Sequence, residues 1–134
     1  MPSRFVLDTH ALVWYLEGSA RLSSAAKAIM DDPASKMILP AVALAEAVHI
    51  VDKGRTSILS SADLLHDVVA EQRIRVQPLT LEIIQESLSA GVVNEMHDRL
   101  IVATALCEQK LGHQVSLVTK DANIVSSGLV PIVW

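Results

Sequence analysis

The sequence predicts a three-layer α/β/α sandwich with a central, mostly parallel sheet, carried by a single domain over residues 1–134. Two features point there. Short apolar runs of strand length recur along the chain, and capped stretches long enough for helices separate most of them. Strands joined by more than about a dozen residues of helix pair in parallel through right-handed crossovers. The length is also sufficient to bury a core without disulfide or metal staples.

Arg4-Phe5-Val6-Leu7 reads as the first strand, ended by Asp8-Thr9, and Ala11 to Glu17 as a helix stopped by Gly18. Ser23 or Ser24 caps a second helix that runs to Asp31 and is closed by Pro33. Met37-Ile38-Leu39 is the second strand, before Pro40. Ala41 to Asp52 is almost entirely apolar and of helical length, with Gly54 as its stop, and Ser60 to Glu71 follows as an amphipathic helix. Arg73 to Gln77 alternates as a short strand. Thr80 opens a helix with Glu82 in its first turn, Asp98 opens another that reaches Gly112, and Val115 to Val118 is a further strand. Val130-Pro131-Ile132-Val133 fits an edge strand, where proline is tolerated.

Composition narrows the function. Hydrophobic residues make up 51% of the chain, rich for its size, so apolar surface is left for a homodimer or another partner to cover. No run reaches the roughly 18 apolar residues of a membrane span, and the apolar stretch behind Arg4 is broken at once by Asp8 and His10. A cytoplasmic protein is therefore expected. The lone Cys107 has no intrachain disulfide partner and sits in an apolar run. A net charge of −4 argues against an ordinary basic nucleic-acid binder, but setting four carboxylates aside for a metal leaves 11 basic and 11 acidic residues.

Four acids carry the chemistry. Asp8 and Asp121 each follow an apolar strand, and ligands of open parallel sheets gather outside the carboxyl ends of strands; each is equally well explained as the cap of a following helix. Glu46 shares a helix face with Val42, Ala43, His49 and Ile50, where a carboxylate is costly unless it is paired, metal-bound or turned to solvent. Asp98 stands at a helix start above Ile101, Val102 and Ala105. Arg99 and Lys120 lie beside two of these acids, as phosphate contacts or as solvated charges.

These residues carry a resemblance. Leu7-Asp8-Thr9-His10-Ala11-Leu12-Val13-Trp14, the isolated Glu46, Asp98-Arg99-Leu100-Ile101-Val102-Ala103-Thr104-Ala105 and Leu117-Val118-Thr119-Lys120-Asp121 follow in the order of the PIN domain. Among PIN proteins the chain resembles the VapC-type toxins of bacterial toxin–antitoxin pairs, down to Val130-Pro131-Ile132-Val133-Trp134. It departs from the family pattern at Ala41 and Ala45, on the approach to Glu46, and at Met96-His97, before Asp98.

The resemblance implies an endoribonuclease restrained by a cognate antitoxin, with Asp8, Glu46, Asp98 and Asp121 as the catalytic, metal-holding acids and Thr9 and Thr119 as supporting hydroxyls, for which turn capping is an equal alternative; Arg99 joins the supporting residues by its place beside Asp98. Such acids suit Mg²⁺ or Mn²⁺, which prefer oxygen ligands. An aspartyl-phosphate enzyme built on Asp8 and Lys120 is an alternative, though His10 stands where related hydrolases have a second aspartate. A non-catalytic module on the same scaffold is another.

Overall fold

The computed structural model describes residues 3–134. Five strands, β1 (Ser3–Leu7), β2 (Lys36–Pro40), β3 (Ile74–Gln77), β4 (Gln114–Val118) and β5 (Ile132–Val133), form one sheet in the order β3-β2-β1-β4-β5. Every pairing is parallel. Seven helices flank the sheet: α1 (Thr9–Glu17), α2 (Ser24–Asp31), α3 (Ala41–Asp52), α4 (Ser61–Ala70), α5 (Leu81–Glu86), α6 (Met96–Lys110) and α7 (Ala122–Ser127). The expected α/β/α sandwich is the observed one.

The central strands are closed to water. Val6, Leu7, Leu39, Leu117 and Val118 are fully buried and join helix residues such as Leu12, Ala43, Ala47, Ile101 and Val102 in one core. Strands covered on both faces need continuous apolar runs rather than alternation, which is why Phe5-Val6-Leu7 and Met37-Ile38-Leu39 are legible as strands. The edge strand β3 is wetter, and the expected alternation is absent, because Arg75 and Val76 are both exposed.

Local capping explains the boundaries. Ser23, Ser60 and Thr80 accept hydrogen bonds from the amides of Ala26, Asp63 and Ile83 and start α2, α4 and α5. Gly18 ends α1 at φ 67°, a left-handed conformation that glycine adopts without a Cβ clash.

Four local features refine the sequence reading. Helix α6 begins at Met96, because the Glu95 carboxylate caps it by accepting from the Asp98 amide at 2.9 Å, so Asp98 lies inside the first turn rather than opening the helix. A 3-10 turn at Ser87–Ala90 extends α5 toward α6. The short α7 follows Asp121, which caps it. In β5 the paired residues are only Ile132 and Val133, while the carbonyl of Pro131 accepts from the Leu117 amide.

Strand order positions the site. The chain leaves β1 toward β2 and β3, then returns past β1 to reach β4 on its other side. The reversal opens a crevice at the carboxyl ends of β1 and β4, the place where doubly wound sheets bind ligands. Leu7 pairs with Val118 in the last register position of these strands, so Asp8 and Thr119 leave the sheet side by side.

Candidate active site

Asp8 is 6% exposed and both of its oxygens are held. Oδ1 accepts from the Thr9 amide at 2.6 Å and Oδ2 from the Thr119 hydroxyl at 2.6 Å. Burial pushes its carboxyl above the ordinary range, and these two hydrogen bonds oppose the shift. Thr9 works in two directions, because its hydroxyl donates to Glu46 Oε1 at 2.6 Å and so ties α3 to the start of α1. Glu46 stands at the border of the stripe Ala43, Ala47 and Val51 that α3 buries, half-covered and turned toward the crevice by that bond.

Asp121 uses Oδ1 to cap α7, accepting from the amides of Asn123 and Ile124. The Thr119 hydroxyl in turn accepts from the Asp121 amide at 3.1 Å while donating to Asp8. A single threonine thereby fixes two of the acids. Replacing Thr119 by valine should cost about 2 kcal/mol in a denaturant titration, because a buried carboxylate loses a charge-assisted partner, whereas Thr119→Ser should retain most of it.

Asp98 shows how closely the acids are grouped. Its carboxyl is pushed up to about 7, first by partial burial and then by the negative charges of Asp121, Asp8, Glu95 and Glu46. The other three expected acids therefore all act on Asp98, with Glu95 as a further acid that sequence reasoning missed. A signal was available, since Glu95 precedes the α6 apolar run by the spacing of a capping residue. Glu95 Oε1 also accepts from His97 Nδ1 at 2.7 Å, and this contact raises the imidazole's affinity for its proton, with burial opposing.

Arg99, expected in support, is committed elsewhere. Its Nε donates to the Val93 carbonyl and its Nη2 to the Gly91 carbonyl, which anchors the loop before α6. Lys120 lies over the Trp14 ring at 4.9 Å and lines a small cleft with Asp8, Thr119 and Asp121. An aspartyl-phosphate role for Asp8 fits poorly, because the nucleophilic oxygens are buried and already hydrogen-bonded.

The donor set is carboxylate oxygen, which suits Mg²⁺ or Mn²⁺ better than zinc. Asp98, which holds its proton up to about pH 7, also offers a cation a favourable exchange. They are not a closed cage: among the described residues no three acidic, histidine or cysteine side chains converge as ligands. Asp8 spends both oxygens, and Glu46 and Asp121 one each, on threonine hydroxyls or backbone amides. Mg²⁺ commonly binds through one or two carboxylates and keeps several waters, so an open acidic crevice matches it.

Fold and site together define a doubly wound α/β protein with an acidic crevice at its topological switch point. The chain belongs to the PIN domain family, whose model matches residues 5–126. No curated protein matches it by sequence. Among solved structures it is similar to a chain of a toxin–antitoxin complex from Klebsiella pneumoniae, with 17% identity, 93% of each chain covered and a TM-score of 0.64. A second similar chain is in VapBC2 from Rickettsia felis bound to a DNA fragment from their promoter, with 14% identity, 96% of each chain covered and a TM-score of 0.64. A third is the Sarcin-Ricin loop cleaving toxin VapC20 of Mycobacterium tuberculosis, with 17% identity, 97% and 99% covered and a TM-score of 0.66. At these identities the likeness is one of fold.

Proposed function

We propose that this chain is a single-domain, divalent-metal-dependent endoribonuclease and the toxin of a toxin–antitoxin pair. The observation that carries the reading is the gathering of Asp8, Glu46 and Asp121 around Asp98 at the switch point, where partial burial and then the charges of these neighbours push the Asp98 carboxyl up to about 7. Membership of the PIN family and the fold shared with toxin–antitoxin proteins support it.

In this reading Asp98, the least encumbered of the acids, and the free oxygens of Glu46 and Asp121 hold Mg²⁺ or Mn²⁺ directly or through water. Asp8 sets the negative field from below, and Thr9 and Thr119 keep Asp8 and Glu46 in place. When bound, the metal would neutralise a phosphate oxygen and lower the pKa of a water for in-line attack on the phosphodiester.

An antitoxin and a second copy of the chain are the proposed partners. Leu59 and Val69 near α4, and Leu88 and Val92 before α6, are largely exposed apolar side chains that association would cover. Among the described residues no helix is long and apolar enough to cross a membrane. An RNA substrate and an antitoxin fit work in the cytoplasm.

The test is cleavage of a labelled structured RNA pool in Mg²⁺, Mn²⁺ or EDTA, with Asp98→Asn alongside. Metal-dependent cutting lost in the variant supports the proposal. Inert wild-type protein that still binds RNA or a partner would favour a non-catalytic module, and equal cutting by both proteins would indicate a contaminant.

A further inference from the structure

A groove of about 900 Å³ runs from the acidic crevice between α1 and α3 to the loop around Arg55. Glu46 and His10 stand at its crevice end, and Arg21 and Arg55 line it further along. On the other side of His10 and Trp14 lies a cleft of about 160 Å³ that contains Asp8 and Asp121. Glu46 on the groove side and Asp8 and Asp121 on the cleft side therefore flank His10 and Trp14, which line both. A polymer with one of its phosphates at the acids would have far more room on the groove side.

The groove's chemistry suits a polyanion despite the chain's net charge of −4. Arg21 and Arg55 are exposed, and among the described residues neither guanidinium takes part in an ion pair. The side chains of Arg73, Arg75 and Arg99, by contrast, are committed to carboxylates, an amide oxygen or backbone carbonyls. The acid facing them, Glu17, is occupied by the amide and hydroxyl of Ser57 at 2.8 and 3.2 Å. His10 is exposed and stacks on buried Trp14 with centroids 5.3 Å apart and planes at 24°, so its outer face is braced and open.

We propose that this groove carries single-stranded RNA on one side of the cut, with Arg21 and Arg55 holding phosphates and His10 stacking the base nearest the acids. The inference rests on the nuclease reading for the position of the cut phosphate. A base can stack on His10 only if it is unpaired, which selects a single strand, and two guanidiniums along the groove meet successive phosphates. His10 and both arginines are positioning residues.

The test uses the full chain, a fluorescent single-stranded oligoribonucleotide pool and EDTA to prevent metal-dependent cutting, with anisotropy read across a salt series. Arg21→Gln/Arg55→Gln should weaken binding about tenfold and make the slope of log K against log salt shallower by ~1.4, about 0.7 for each lost phosphate contact. His10→Ala should weaken binding without changing that slope, while Lys36→Gln, at the opposite end of the sheet, should change neither. Unaltered melting temperatures would exclude misfolding as the cause for these exposed residues.

Unchanged affinity and slope in the double arginine variant overturn the proposal, and loss of a copurifying protein in the same variant would then give the groove to a protein partner. Cleavage by the same wild-type preparation in Mn²⁺ separates the two readings. Arginine-dependent binding without cleavage leaves the groove standing and removes the nuclease, while cleavage that ignores the arginines does the reverse.

Discussion

Replacing Asp98 by asparagine is expected to abolish cleavage and, in metal-free protein at neutral pH, to raise the melting temperature. The loss of activity follows from the removal of the acid best placed to receive a cation. Metal stabilisation of a phosphoryl transition state is worth several kcal/mol, so the rate should fall on the order of a thousandfold. The gain in stability follows from the partial burial of Asp98 and the negative charges around it. Asp98 holds its proton up to about pH 7 when folded, against an ordinary 3.8, so its ionised form opposes folding. That cost is fully present above about pH 7 and fades as the pH falls toward 4, where the unfolded chain is protonated too.

Asparagine carries no charge and removes the cost. Because Asp98 is partly open to solvent, a gain of about 1 kcal/mol, or ~3 °C in melting temperature, is expected at pH 8 and almost none near pH 4. Mn²⁺ should raise the melting temperature of the wild type more than that of the variant, since a ligand stabilises only the state that binds it. Scanning calorimetry at the two pH values, with and without Mn²⁺, reads all three effects. A variant less stable than wild type at both pH values would show that the acids do not repel one another as described.

The second large effect concerns Glu108, a carboxylate 4% exposed on the otherwise apolar face of α6. Arg75 Nη2 of the edge strand β3 reaches it at 2.7 Å, while His113 Nε2 is 4.0 Å away. Arg75→Met should cost about 3 kcal/mol, or ~8 °C in melting temperature, because the acid is left buried without its guanidinium. Adding Glu108→Leu should recover most of the loss, since the penalty comes from the stranded charge rather than from a missing attraction. If the single variant melted with the wild type, the pair would be no more than a surface contact.

The strands and most helices were legible because their local signals agree. Phe5-Val6-Leu7 and Val115 to Val118 are apolar at every step, and Ser23, Ser60 and Thr80 are capping residues directly before helical runs. The start of α6 was less legible because Glu95, a less usual cap than Asp98, holds the first turn. Arg99 misled for a related reason: its neighbour Asp98 faces the crevice, but one residue further along a helix points elsewhere, here to the carbonyls of Gly91 and Val93.

By itself the sequence determined the alternation of strand and helix, the parallel sheet that this alternation enforces, and four acids at element ends. Those properties depend on side-chain periodicity and capping, which act within a few residues. Only the tertiary structure decided that the chain's return past β1 sets Asp8 beside Thr119, that Thr9 binds Glu46 across 37 positions, and that unpaired Arg21 and Arg55 share a groove with that acid. Burial, mutual charge and the partners of a guanidinium depend on which distant segments the sheet order brings together, and no local spacing contains that information.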